Sequence, residues 1–361
     1  MEIAMDTFDS GRSGERTSVN GRFVSFIEFD DISEMVCSGN WGELCARRYE
    51  LVQQGAECEA SAEEVCKQLS AFNRSVIRAV LEMHSEDAPW LAQCTFMEFG
   101  SGGRDEQILG SDQDNGLLLH TFVDRDHLEQ VTQSIVVSLD AAGLPLCGGE
   151  VMVNNVEWRG DFDTWCHRLI GWLSNPIEKG PWQSGLIFDF KAVFGSEPEV
   201  VRLREKVWEY VRTKPVTLSL LIGELTEYRL PLSFWGAFIT EKEGPWQGCL
   251  NLKKSILTHI IKSIRILALK YGLHSHNTCD RLRLLVGAGH IERHLGEHLL
   301  KAWEFLQGKR LEIGLSCFRH SIPYHGYLDP SVLDGEGETQ LKETIHTVAK
   351  FVERVQAGDG L

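Results

Sequence analysis

Residues 95–116 read Thr-Phe-Met-Glu-Phe-Gly-Ser-Gly-Gly-Arg-Asp-Glu-Gln-Ile-Leu-Gly-Ser-Asp-Gln-Asp-Asn-Gly, a run whose residue types can bind metal and phosphate. Asp112 and Asp114 stand two apart, and in extended backbone such residues project to one face. Two carboxylates side by side repel, so the pair is stable mainly when cations neutralise it. Hard oxygen ligands suit magnesium or manganese, and two such ions can bridge a triphosphate and an attacking oxygen. Upstream, Gly100-Ser101-Gly102-Gly103 lets backbone amides approach phosphate oxygens without side-chain obstruction. Ser101 offers a hydroxyl donor and Arg104 a planar fork suited to phosphate. A helix starting near Arg104 would add the positive end of its dipole. Each part also has a plain reading. DxD pairs are common on solvated turns, and glycine-rich turns often just connect a strand to a helix. The combination is more specific: an apolar strand, a Gly-Ser turn, an arginine, and the carboxylate pair eight residues later.

The surrounding pattern predicts the elements that position these residues. Strands are expected at 94–99, 116–123 and 185–190, the last ending near Asp189 and Lys191. Helices are expected at 41–57 and 61–84, the second opening on the capping box Ser61-Ala-Glu-Glu64. Another spans 126–142, and Phe162, Trp165, Leu169 and Leu173 mark one more. Beyond about residue 198 the pattern is helical, at 199–213, 253–272, 290–307 and 338–357. The expected fold class is α+β, a small mixed-sheet domain followed by a helical C-terminal domain. The expected divisions are a mobile tail at 1–21, a helical segment at 22–84, the sheet domain at 85–197 and the helical domain at 198–361. Gly-Pro-Trp-Gln occurs at 180–183 and 244–247, with no longer repeat around either copy.

With 361 residues, 43% hydrophobic and 24% charged, the chain suits two compact units. No run approaches the roughly 18 apolar residues of a membrane span, and the acidic, polar start lacks the features of a secretory signal. Ten scattered cysteines form no CxxC pair and read as reduced thiols in a cytoplasmic protein. The net charge of −16, from 36 basic and 52 acidic residues, disfavours long nucleic acid as a partner. No membrane partner is expected either.

Gly100-Ser-x-Gly-Arg104-x-Glu106 followed by Ser111-Asp-x-Asp114 resembles the signature of the DNA polymerase β-type nucleotidyltransferase superfamily. The spacing is similar to that of the N-terminal domain of PII-protein uridylyltransferases. It is closer still to an uncharacterised nucleotidyltransferase family often joined to CBS and cyclic-nucleotide-binding domains in signal-transduction proteins. The likeness extends to Leu146-Cys-Gly-Gly-Glu-Val-Met152 with Asn155 and Trp158, and to Ile187-Phe-Asp-Phe-Lys191. It takes in Leu252-Lys-Lys254, the Arg265 helix, Arg281-Leu282 and Leu328-Asp-Pro330, and so covers about residues 70–357. The chain departs from the pattern at Arg310-Leu-Glu-Ile-Gly314, where the family continues with a basic and a glutamine residue.

The resemblance implies transfer of a nucleotidyl group from a nucleoside triphosphate to an acceptor hydroxyl, with pyrophosphate released. The acceptor would be a protein side chain, as on a PII-like regulator, or a small molecule. Asp112 and Asp114 would hold magnesium or manganese, with Asp189 as third carboxylate. Gly100, Ser101, Gly103, Arg104, Glu106 and Ser111 would form the nucleotide-binding set, with Ser101 and Arg104 on the β- and γ-phosphates. Glu106 either orients Arg104 through a salt bridge or is a solvated acid at a helix start. The alternative function is a nucleotide-binding regulator with little turnover. His290, His294 and His298, four apart, read as a solvated helix face, as does His274-Ser-His276 as a loop; Lys253 and Lys254 read as exposed helix residues.

Overall fold

The computed structural model describes residues 31–174, 185–227, 229 and 231–358, with the backbone of 18–19 and 22–23. The expected tail, apart from a two-residue pair β1 (Ser18–Val19) and β2 (Arg22–Phe23), and the first Gly-Pro-Trp-Gln copy lie outside the described residues. Three helices open the described chain: α1 (Ile32–Cys37), α2 (Trp41–Glu57) and α3 (Ala62–Ser85). The capping box forms as its sequence requires: the Ser61 hydroxyl accepts from the Glu64 amide, and the Glu64 carboxylate accepts from the Ser61 amide. Such a cap stabilises a helix by about 1 kcal/mol.

Next comes the sheet. β3 (Thr95–Phe99) is buried along its whole length, as a central strand must be. It pairs antiparallel with β4 (Asn115–Leu118) on one side and with β6 (Phe190–Phe194) on the other; β5 (Arg159–Gly160) adds parallel to β4. The expected second strand is shorter than 116–123. The chain leaves the sheet after Leu118 and turns into α5 (Arg125–Ala141), whose first amides the Asp124 carboxylate caps. The third strand is displaced. Gly185, with φ 72°, starts a helical turn at Leu186–Phe188, so Asp189 precedes β6 instead of ending a strand. After α6 (Phe162–Ser174) and β6, the chain is helical: α7 (Glu197–Thr213), α8 (Pro215–Glu224), α9 (Thr258–Lys270), α10 (Thr278–Gly287), α11 (Arg293–Arg319) and α12 (Gly335–Ala357). A short pair, β7 (Leu250–Asn251) with β8 (Tyr327–Leu328), ties the segment before α9 to the one after α11. The helix expected at 290–307 begins later and runs further, and its added turns pack Gly314 directly on Leu109.

The architecture is thus mixed α/β, with a small four-stranded sheet in the N-terminal part and helices in the C-terminal part. One apolar core runs through both, from Ile32 to Val355. The first helices bridge the two parts: Glu63 on α3 pairs with Arg283 on α10, and the Ala62 amide donates to Glu304 on α11. Among the described residues no helix is long and apolar enough to cross a membrane. All ten cysteines are free.

Candidate functional site at the carboxylate pair

The Asp112-Gln-Asp114-Asn115 segment alternates as extended backbone should. Gln113 turns inward, and its amide nitrogen donates to the carbonyls of Val136 and Leu144 at 3.1 and 3.0 Å. Asn115 donates to Gln113 and accepts from the Val153 amide at 2.8 Å, pinning the 144–153 loop beneath the pair. With these two anchored, Asp112 and Asp114 share the other face. One oxygen of each, together with Cys147 Sγ from the pinned loop, lies within 4.8 Å of the others. Burial, and then the charge of Asp112, push the Asp114 carboxyl up to about 7; the Cys147 thiol rises to about 12 through burial and the neighbouring Asp114. A carboxyl whose charge is opposed by burial and by a second anion fits a divalent cation, and two carboxylate oxygens are the donors magnesium or manganese take.

The Gly-Ser turn stands against this pair. Gly100–Gly103 makes a single helical turn, α4, and the chain then breaks at Asp105, whose φ of 59° is left-handed. Arg104 therefore ends a four-residue helix and does not begin a longer one, so the expected dipole at Arg104 is absent. Close approach explains the glycines. A Cβ at Gly103 would lie 2.2 Å from the Asp189 carbonyl oxygen, and one at Gly100, where φ is +60°, would lie 2.7 Å from Asp114 Oδ2. Beneath the turn Glu98 is 3% exposed; burial pushes its carboxyl up to about 7, although Lys191 and Arg74 pull the other way. Ser111 uses its hydroxyl to accept from the Ile108 amide at 2.9 Å, holding the loop that leads into the pair.

Arg104 is oriented from two sides. Its Nε donates to Glu106 at 2.7 Å and its Nη1 to Asp189 at 2.9 Å. Glu106 is buried, so the solvated-acid reading does not hold. Its other oxygen accepts from the Thr278 amide at 2.7 Å, at the start of α10. Asp189 is not brought into the Asp112–Asp114–Cys147 group. It is fully buried, and its carboxylate also meets Arg265 on α9 and, at 2.7 Å, Arg281 Nη2 on α10. Burial would raise its pKa, but the charges of Arg265, Arg281 and Arg104 outweigh it and hold it far below the usual carboxylate range. Asp189, expected as a third carboxylate, is thus engaged by an arginine cluster where β6 begins against α9 and α10.

These parts open onto one cavity of about 740 Å³ between the sheet and the helices. Gly100, Ser101, Arg104, Glu106, Ser111, Asp112 and Asp114 line one side, and Lys253, Arg265, Gln307, Arg310 and Tyr324 the helical side. Trp158 and Trp172, their rings 5.2 Å apart, form an aromatic wall. Comparison with protein families gives two matches. Residues 46–179 match the model described as "Putative nucleotidyltransferase DUF294", and residues 215–358 the "Putative nucleotidyltransferase substrate binding domain". The chain belongs to this nucleotidyltransferase family. No curated protein matches it.

In this member of the family, of the residues singled out from sequence, Gly100, Ser101, Arg104, Glu106, Ser111, Asp112 and Asp114 line the cavity together. Gly103 packs behind it on β6, and Asp189 lies outside that lining. Sequence reasoning set Lys253 aside and read Arg310 as a departure, yet both reach the cavity. The signal for Lys253 was the family likeness of Leu252-Lys-Lys254; in the structure it opens an irregular, wider turn at Lys253–Leu257, and such turns recur at functional sites. His294 and His298 are exposed on α11 and His274 is exposed in a loop, as expected; His290 is half-buried and lies just before that helix. His290 stacks on Tyr271, His294 packs against His298, and His274 stacks on Trp208.

Proposed function

We propose that the chain transfers a nucleotidyl group from a nucleoside triphosphate to an acceptor hydroxyl, with Asp112 and Asp114 holding magnesium or manganese. The observation that carries this reading is convergence: the carboxylate pair, the Gly-Ser turn and Arg104 face one cavity large enough for a nucleotide. The acceptor oxygen bonds to the α-phosphorus, the bond from that phosphorus to the bridging oxygen breaks, pyrophosphate leaves and the hydroxyl proton is released. Bound divalent ions supply charge neutralisation for the phosphates and lower the cost of forming the acceptor alkoxide. The protein's own part is positioning. Ser101 and the turn amides address the phosphates, and Arg104 is held in place by Glu106 and Asp189 before any ligand arrives. Asp189 is a positioning residue in this scheme. Trp158 and Trp172 offer a stacking wall for the base, which suits a purine or a pyrimidine. The acceptor is a protein side chain, as on a PII-like regulator, or a small molecule, and the strong negative charge argues against long nucleic acid.

Incubation with magnesium and each labelled triphosphate tests this. Label transfer with pyrophosphate release, lost in Asp112→Ala and Asp114→Ala, is the expected result. Tight nucleotide binding with no pyrophosphate release from the wild type, across protein and small-molecule acceptors, would sink it in favour of a nucleotide-binding regulator.

A further inference from the structure

Five cationic side chains line the cavity among the described residues: Arg104, Lys253, Lys262, Arg265 and Arg310. Three are committed to carboxylates. Arg104 holds Glu106 and Asp189, Arg265 holds Asp189, and Lys262 pairs with Glu224 at 3.0 Å. Lys253 and Arg310 have no acidic partner among the described residues. Arg310 is 7% exposed; its Nε donates to the Tyr324 hydroxyl at 3.3 Å and its Nη1 to Gln307 at 2.6 Å, leaving Nη2 without a described partner. These neutral hydrogen bonds fix the guanidinium without neutralising it. Lys253 keeps solvent access in the cleft, on the first residue of the wide turn that precedes α9.

The two cations line the same cavity. The protein packed around Lys253, and after it the charge of Arg310, lower the affinity of the ammonium for its proton, while Asp112 and Asp114 act on it from across the cavity in the opposite sense. Like charges lining one cleft, neither of them in an ion pair among the described residues, are the counterpart of the carboxylate pair: that pair fits a cation, and these two fit an anion.

We infer that Lys253 and Arg310 form a phosphate-binding pair, contributed by the helical half to the same cavity as Asp112 and Asp114. The inference rests on the nucleotidyl-transfer reading. It adds that a phosphate group is gripped from the helical side as well as from the Gly-Ser turn. The phosphate belongs either to the triphosphate or to a phosphorylated acceptor.

Calorimetric titration without divalent metal, using inorganic tripolyphosphate, a nucleoside triphosphate and the corresponding nucleoside, tests it. Lys253→Ala and the conservative Arg310→Lys are the variants, with circular dichroism to confirm that both fold. Lys253 reaches solvent in the cleft, so its variant keeps the test decisive if the arginine variant fails to fold. Tripolyphosphate affinity should fall about tenfold in Lys253→Ala, as loss of a charge-assisted contact predicts, while nucleoside affinity holds. A parallel fall for the nucleoside triphosphate identifies its own tail as the ligand; triphosphate affinity that stays unchanged points to a phosphate on the acceptor. Wild-type affinity for tripolyphosphate in folded variants overturns the pair and leaves nucleotidyl transfer standing. A wild type that binds neither tripolyphosphate nor nucleotide, with or without magnesium, overturns both.

Discussion

Asp114 and Asp189 are the same residue type, both largely shielded from water and both next to Arg104's neighbourhood, yet their electrostatics are opposite. Asp189 meets three guanidinium groups and stays ionised far below the usual range; Asp114 meets another carboxylate and a thiol, and its carboxyl is pushed up to about 7. A carboxylate whose charge is already balanced is part of the framework. One left against a second anion, facing a cavity, is where a bound cation would relieve an unfavourable charge. The contrast separates two residues that sequence motifs grouped together.

That contrast can be broken by substitution. Asp112→Ala or Asp114→Ala should lower nucleotidyl transfer about a thousandfold or more while leaving thermal stability unchanged or higher, since a repulsion is removed. Comparison of pyrophosphate release rates with melting curves checks this, and a destabilised, still active variant would reverse the assignment. Asp189→Asn should do the opposite to the framework. Three arginines would lose their buried partner, at a cost of about 3–5 kcal/mol in urea unfolding. Unchanged stability there would mean that the arginines find other partners.

Glu98 sharpens the comparison through pH. Its folded-state pKa, about 7, lies above the ordinary carboxylate value of 4.5, so its protonated form is favoured on folding. That contribution is fully present below about pH 4.5 and is lost as pH rises through about 7. Glu98→Gln should therefore stabilise the protein by about 2–3 kcal/mol at pH 8 and hardly at all at pH 4; parallel denaturation series at the two pH values read this directly. The smallest effect concerns the joint between α3 and α10. Burial opposes ionisation of Glu63, but Arg283 and Lys67 lower its pKa to about 2, so its contribution is present above about pH 4.5 and fades as pH falls towards 2. Both partners are solvent-accessible, so a double-mutant cycle on Glu63 and Arg283 should give only about 0.5–1 kcal/mol at neutral pH.

What could be read from the sequence was local. The capping box at Ser61, the central strand before Gly100, the turn glycines and the alternation that puts Asp112 and Asp114 on one face all depend on neighbours a few residues away. Contacts across long separations could not be read in the same way. Nothing near Asp189 announces that Arg265 and Arg281, some 76 and 92 positions on, will close around it. Lys253 looked like a surface lysine because its environment is made by Arg310 and by a loop on the far side of the cavity. The displaced strand at Phe190–Phe194 was also not legible: the apolar run at 185–190 suits a strand or a turn, and the left-handed Gly185 opens a turn.

Glu106 is held by the Thr278 amide, the Arg104 carbonyl accepts from Asn277, and Asp189 is held by α9 and α10. The two matched families therefore meet at a seam in the sequence that the molecule does not respect. A fragment carrying only the glycine turn and the carboxylate pair would keep the residues named in the motif and lose the scaffolding that aims its arginine. Recombining such a fragment with an unrelated helical partner would have to rebuild that scaffolding before it could rebuild a reaction.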